Sequence, residues 1–209
     1  MPDATAIAAA VPFDADETQV FRPTMHHVNL RTTRLREMIA WYGQVIGAHP
    51  NFQSDVIAFL TNDGANHRVA LTRVPALNDD DEKVVHSGMH HSAFEYETLD
   101  ALLATYLRLK DGWIVPGACL DHGLTTSFYY IDPDGNMVAL QADNYGDWEE
   151  SSHFIRTDER FAANPIGEFI DPEKIVAARR LGLSPLEVHE RAYRGEYPAS
   201  LPPDFRLPL

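Results

Sequence analysis

The sequence predicts an α+β protein: two βαβββ modules form a cupped mixed sheet, and a helical C-terminal extension follows them. The modules are predicted from a repeat, because Met25-His26-His27 recurs 64 residues later as Met89-His90-His91. Each triplet opens a short strand pattern and then a helix pattern with apolar residues at spacings of three and four. The 209-residue chain is 44% hydrophobic and 23% charged, which is ordinary for a globular protein.

The elements of each module follow in the same order. Strand patterns open at 27–30 and 91–94, and the first helix pattern starts at Leu35 and stops at Gly43 or Gly47. The second helix pattern runs from Leu99 to the Asp111-Gly112 pair. Further strand patterns then occupy 56–61, 68–72, 125–131 and 137–141, separated by turn-forming sequences at 62–64 and 132–136.

The repeat divides the chain into three parts. We expect an N-terminal arm over 1–22, a paired βαβββ domain over 23–146 with modules of about 23–77 and 87–146, and a tail over 147–209. In the tail, 171–181 and 184–194 have helical spacing and start with an Asp-Pro or Ser-Pro pair. The proline-rich end, 198–209, should be extended. The tail is interpreted as a packing or dimer-forming appendage.

Composition excludes several classes of function. The net charge of −14 argues against a nucleic-acid surface and an anionic membrane surface. The single Cys119 excludes an internal disulfide framework and a cysteine-rich zinc module. No apolar run approaches the roughly 18 residues of a membrane span. A cytoplasmic protein without nucleic-acid or membrane partners is therefore expected, and we expect a homo-oligomer.

The repeated unit, the helix end Trp41–Gly47 and the turn Asp132–Asn136 together resemble the vicinal oxygen chelate superfamily. That superfamily includes glyoxalases, bleomycin-resistance proteins and extradiol dioxygenases, and the likeness covers about residues 24 to 145. Within it, the chain is most similar to type I extradiol ring-cleavage enzymes of the biphenyl-2,3-diol type. The resemblance implies a non-haem iron enzyme that uses Fe(II), with Mn(II) as an alternative, and acts with O₂ on a small aromatic substrate.

The resemblance also implies roles for individual residues. His27 and His91 occupy the two histidine-ligand positions, and His67 matches the acid–base histidine. Tyr129 matches the tyrosine that hydrogen-bonds the substrate oxygen, and His122 falls near a further histidine of the site. The neighbouring histidines of each triplet, His26 and His90, are interpreted as structural because they lie on the opposite strand face.

One ligand position departs from the family pattern. The third ligand is implied to be a glutamate at position 139, where this chain has Ala139. The carboxylate of a 2-His-1-carboxylate triad is therefore missing. Gln141 shares the strand face and is a possible substitute, as are water and substrate, whereas Glu95 is about 13 Å along its strand from His91. We expect a vacant space beside the Ala139 methyl group and weak or partial iron binding.

Three functions remain open at this stage. The first is extradiol cleavage of a catechol-like aromatic at a histidine-based Fe(II) site. The second is a non-oxidative isomerase, cyclase or lyase that uses histidine and tyrosine acid–base chemistry on the same scaffold. The third is a binding protein that sequesters a ligand. Metal analysis separates the first from the others, and turnover of an aromatic compound separates enzyme from binder.

Overall fold

The computed structural model describes residues 20, 22–80 and 82–207. The predicted N-terminal arm therefore lies outside the described residues, apart from residues 20 and 22. The first module contains β1 (Val28–Thr32), α1 (Leu35–Ile46), β2 (His49–Gln53), β3 (Ile57–Thr61) and β4 (Val69–Arg73). The second contains β5 (His91–Tyr96), α2 (Leu99–Asp111), β6 (Ala118–Asp121), β7 (Thr125–Ile131) and β8 (Met137–Asp143). The extension contains α3 (Trp148–Thr157), α4 (Glu159–Ala163), β9 (Glu168–Phe169), α5 (Pro172–Arg180) and α6 (Pro185–Tyr193).

The predicted α+β fold of two strand–helix–three-strand modules is confirmed. The strands form two mixed sheets, in the orders β1-β4-β3-β2 and β5-β8-β7-β6-β9. In each module the first strand runs parallel to the last, and the remaining neighbours are antiparallel. The register repeats as well, because Asn29 pairs with Ala70 and the equivalent Ala93 pairs with Ala139. The bounds proposed for the arm, the paired domain and the tail stay a prediction.

Residues at the helix ends explain where α1 stops and where α2 begins. α1 continues through Gly43 and stops at Gly47, which has a φ of 67° and accommodates the left-handed turn that L side chains rarely adopt. α2 begins after Thr98, whose hydroxyl accepts a hydrogen bond from the Ala101 amide. The apolar faces of both helices pack against the sheets and form the main core, with Tyr42 wholly buried within it.

The sequence patterns missed four short elements in particular. β2 is an edge strand with every residue exposed, so it carries no alternation of apolar and polar residues. β6 is buried throughout and therefore lacks alternation for the opposite reason. α3 and α4 follow Asp147 and Asp158, whose side chains cap them, but α3 is mostly polar and α4 has only five residues, too few for a clear helical spacing.

The two helices predicted in the tail are present as α5 and α6. Both begin with a proline in the first turn, after Asp171 and Ser184 respectively. The described end of the chain, through residue 207, has no regular helix or strand. Among the described residues, no helix has the length and apolar character needed to cross a membrane.

Candidate functional site

Three histidines meet at one end of the first sheet. His26 and His27 directly precede β1, and His67 lies just before β4. Because β1 and β4 are parallel neighbours, residues that precede both strands lie side by side. The three side chains offer nitrogen atoms that all lie within 4.8 Å of one another, and the Nδ1 atoms of His26 and His27 are 3.1 Å apart. We call these three residues the imidazole group.

His67 has a defined environment within the imidazole group. Its ring stacks on Phe59 with 4.7 Å between centroids, and it lies 4.3 Å from the ring of His27. Its Nδ1 is 2.6 Å from Oδ1 of Asn66, which can only accept a hydrogen bond, so Nδ1 carries the proton and Nε2 is bare. Burial, and then the neighbouring His27 and His26, lower the pKa of His67. The neutral ring can therefore act as a base or a ligand.

The corresponding histidines of the second module have different neighbours. His91 packs edge-on to Tyr129 with 5.2 Å between ring centroids, and its Nδ1 lies 2.8 Å from Nδ1 of His90. Burial lowers the pKa of His91. His90 points its Nε2 at the backbone oxygen of Phe205, 2.9 Å away, which fits the structural role assigned to it.

The two predicted metal ligands line one cleft. His27 and His91 both border a cleft of about 690 Å³, together with Met25, Met89 and Glu95. His91 does not belong to the imidazole group, whose third member is His26. Strand alternation predicts that His26 turns away from His27 and has a structural role. That argument does not apply here, because both residues precede the first residue of β1.

The predicted acid–base residues of the second module form a hydrogen-bonded pair. Nε2 of His122 lies 2.7 Å from the Tyr129 hydroxyl, and Nδ1 of His122 lies 2.6 Å from the backbone oxygen of Ile166. Burial lowers the pKa of His122 and raises the pKa of Tyr129 to about 12. Both side chains are therefore neutral near neutral pH.

The surroundings of Ala139 differ from the vacant space that sequence reasoning expects. Ala139 pairs with Ala93 on one side and with Tyr129 on the other, so the register is the expected one. No part of Ala139 is exposed, and it belongs to an apolar cluster with Tyr129, Met137 and Phe205. Phe205 comes from the C-terminal tail, for which the sequence predicts only a packing or dimer-forming role. A carboxylate at position 139 would lose its hydration in these surroundings.

Gln141, the candidate substitute for the missing carboxylate, is hydrogen-bonded to Glu95. Nε2 of Gln141 donates a hydrogen bond to Glu95 at 3.0 Å, and the other Glu95 oxygen accepts from the Trp148 indole at 2.8 Å. These partners leave the Gln141 amide oriented toward Glu95. The assignment of Gln141 as a substitute ligand stays a prediction.

The donor set fits a divalent transition metal ion, through imidazoles rather than a carboxylate. Neutral imidazole suits iron, zinc and copper. The 3.1 Å separation of the His26 and His27 nitrogens matches the spacing of neighbouring ligands around one ion whose metal–nitrogen bonds are about 2.1 Å. Asn66 supplies the outer hydrogen bond that commonly orients a ligating or basic histidine.

The fold and the histidine-lined cleft define a paired βαβββ protein with a metal-competent site. The chain belongs to the Glyoxalase/Bleomycin resistance protein/Dioxygenase superfamily, whose family model matches residues 24–140. It is 38% identical over 171 residues to biphenyl-2,3-diol 1,2-dioxygenase 3 of Rhodococcus globerulus, covering 82% of this chain and 90% of that protein. It is 37% identical over 180 residues to biphenyl-2,3-diol 1,2-dioxygenase 2 of the same organism, covering 86% and 94%.

A solved structure supports the fold. The crystal structure of a glyoxylase/bleomycin resistance protein/dioxygenase domain from Frankia sp. EAN1pec matches with a TM-score of 0.50 and 16% identity. The match covers 59% of this chain and 99% of that one. The two curated dioxygenase relatives support an enzyme of this superfamily, with an extradiol-type dioxygenase-like function.

Proposed function

We propose that this protein cleaves the ring of a catechol-like aromatic with O₂ at a histidine-held Fe(II) site. The imidazole group beside the cleft is the observation that carries the proposal, because His26 and His27 offer two metal-competent nitrogens and His67 adds a third imidazole next to them. The relation to two biphenyl-2,3-diol dioxygenases supports the substrate class. Ring cleavage breaks one ring carbon–carbon bond and places both atoms of O₂ in the product, so the reaction needs no further reductant.

The residues have separate tasks in this proposal. His27, with His26 beside it and His91 across the cleft, would hold the ion. When bound, Fe(II) supplies a site where the substrate oxygens and O₂ meet and exchange electrons. His67 takes a proton from the bound substrate at its bare Nε2 and returns it later, a task suited to its lowered pKa. Tyr129, beside His91, forms a hydrogen bond with a substrate hydroxyl group.

The direct test combines metal content with turnover. Purified protein is loaded with Fe(II) without oxygen, its iron is measured by elemental analysis, and biphenyl-2,3-diol is then added with O₂. We expect bound iron and a yellow ring-fission product, followed by absorbance. His27→Ala should lose both, whereas His153→Ala, an exposed histidine on α3, should lose neither. Protein that binds a full equivalent of iron but forms no product would contradict the proposal.

The Ala139→Glu variant tests the departure from the family pattern. We expect metal-free Ala139→Glu to be less stable by about 1–3 kcal/mol, because a larger and charged side chain enters a filled apolar cluster. Added Fe(II) should restore its melting temperature and raise iron content and ring cleavage above those of the parent. Ala139→Gln, which has similar size without the charge, is the matched control. An Ala139→Glu variant whose melting temperature ignores Fe(II) would show that position 139 is too far from the ion.

The apolar surroundings of Ala139 favour a second candidate function. A site that has exchanged a carboxylate ligand for packed apolar contacts is compatible with a non-oxidative isomerase, cyclase or lyase. His27, His67, His91 and Tyr129 would then serve as the acid–base groups. Turnover of an aromatic compound under a chelator and without O₂ would support this candidate over ring cleavage.

A further inference from the structure

The C-terminal extension builds the surroundings of His122, although the family model ends at residue 140. β9 of the extension pairs with β6, placing Phe169 opposite Leu120 and Glu168 opposite Asp121. Position 167 of the extension lies against the backbone of Asp121 and His122, where a side-chain Cβ would overlap the Asp121 carbonyl oxygen. Gly167, with a φ of 85°, therefore brings the extension closer than any other residue type would allow.

A buried hydrogen-bonding network fixes the same turn from the other side. Asp121 and His189 of α6 are both buried, with 2.8 Å between a carboxylate oxygen and Nδ1. The other Asp121 oxygen accepts from the Gly123 amide at 2.8 Å and from Asn144 at 3.2 Å. Gly123 lies under Phe154 of α3, where a Cβ would collide with the ring. The position of His122 is thus determined by residues of the extension on two sides.

The contact with Ile166 decides which nitrogen of His122 carries the proton. A backbone carbonyl only accepts hydrogen bonds, so Nδ1 of His122 must donate to Ile166 across the 2.6 Å contact. In the neutral ring Nε2 is then bare and accepts from the Tyr129 hydroxyl at 2.7 Å. The Tyr129 oxygen has donated its only proton. Any ligand that reaches it beside His91 meets an acceptor.

We propose that the C-terminal extension is a positioning part of the site: through Ile166 it fixes the His122 tautomer, and thereby makes Tyr129 select ligands that donate a hydrogen bond. His122 is a positioning residue, since it acts through Tyr129. A phenolic hydroxyl is such a donor and an aryl ether is not. The choice of an aromatic ligand rests on the proposed function, whereas the tautomer does not.

NMR of protein labelled at the histidine nitrogens tests the tautomer without any activity measurement. The His122 signal is assigned as the one that disappears in His122→Gln. In the parent protein we expect this signal to show a proton on Nδ1 near neutral pH. A proton on Nε2, or a doubly protonated ring, would overturn the proposal. Gly167→Ala should disturb this tautomer, because its Cβ pushes the extension away from His122. Gly182→Ala is the matched control: this glycine also has a positive φ, but a Cβ there meets nothing within 4 Å.

Ligand binding tests the selectivity. Catechol and 1,2-dimethoxybenzene are titrated by calorimetry into the intact protein and into Tyr129→Phe. We expect Tyr129→Phe to bind catechol about 5- to 10-fold more weakly, as loss of one hydrogen bond predicts, and to bind the ether unchanged. If Tyr129→Phe weakens the binding of both ligands equally, or of neither, the assignment of the Tyr129 oxygen as a hydrogen-bond acceptor is overturned. Absence of ring cleavage alongside an Nδ1 proton would count against the proposed function only.

Discussion

The two modules share a topology and a Met-His-His triplet. The sheet face that carries the site residues is open in the first module and covered in the second, and we call this face the inner surface. In the first module His26 and His27 are exposed, and Phe52 of β2 is 53% exposed. In the second module the inner surface is covered by the extension, and Tyr129 and Ala139 are buried beneath it. The difference shows that duplication of a sequence pattern does not duplicate its environment. One module offers open imidazoles, and the other holds an oriented tyrosine.

The turn that joins the second and third strands of each module gives the largest expected contrast. Asp121 of the second module is buried and accepts from His189, Asn144 and the Gly123 amide, whereas Asp55 of the first module is exposed. We expect Asp121→Ala to lower the free energy of unfolding by about 3–5 kcal/mol, because its buried partners lose their acceptor.

Urea denaturation measures this effect, with Asp55→Ala as the matched control at a change within about 0.5 kcal/mol. Similar losses for the two variants would show that the extension does not stabilise the second module through Asp121.

The phenylalanines of the two inner surfaces give the next contrast. Phe205 packs against Tyr129, His90 and Phe169 with ring centroids 4.8, 5.1 and 5.7 Å apart. We expect Phe205→Ala to cost about 3 kcal/mol, the lower end for a buried phenylalanine, because the segment that carries it has no regular structure. Phe52→Ala, on the open surface, should stay within about 0.5 kcal/mol. Thermal unfolding compares the two, and an equal cost would remove the distinction between open and covered surfaces.

The smallest expected effect is a pH dependence of the free energy of unfolding, which comes from the ion pairs between α5 and α2. Lys110 and Tyr106 of α2 lower the pKa of Glu173, and Arg179 of α5 lowers the pKa of Asp100. A carboxyl group with a lowered pKa in the folded state stabilises that state above its ordinary pKa, here 4.5 and 3.8. The contribution is lost as the pH falls through the lowered values.

Glu173→Gln should therefore unfold more easily than the parent at about pH 6, by less than about 1 kcal/mol because the pair is partly exposed. The deficit should shrink toward about pH 3, where the parent carboxyl is itself protonated. A deficit of the same size at both values would assign the effect to packing rather than to charge.

Helices and strands with a clear apolar spacing could be predicted from the sequence. The helix pattern at 35–46 and the strand pattern at 125–131 both match the structure because their apolar spacing depends only on neighbouring residues. β2 and β6 were missed because one is wholly exposed and the other wholly buried. At the site, His27, His67 and His91 were selected by repetition and resemblance. The structural role predicted for His26 depends on strand alternation, which does not hold before the first residue of a strand.

The residue order is therefore enough to predict the duplicated fold, the histidines at the start of each module and the alanine at position 139. Three further features depend on packing between distant segments: His26 joins His27 and His67, Phe205 helps to enclose Ala139, and Ile166 orients His122. They differ from the first set in the sequence distance between the residues in contact. Local periodicity follows from the geometry of one helix or strand, but Ile166 and Phe205 reach the site from 44 and 76 residues beyond His122 and Tyr129, through packing that no local pattern records.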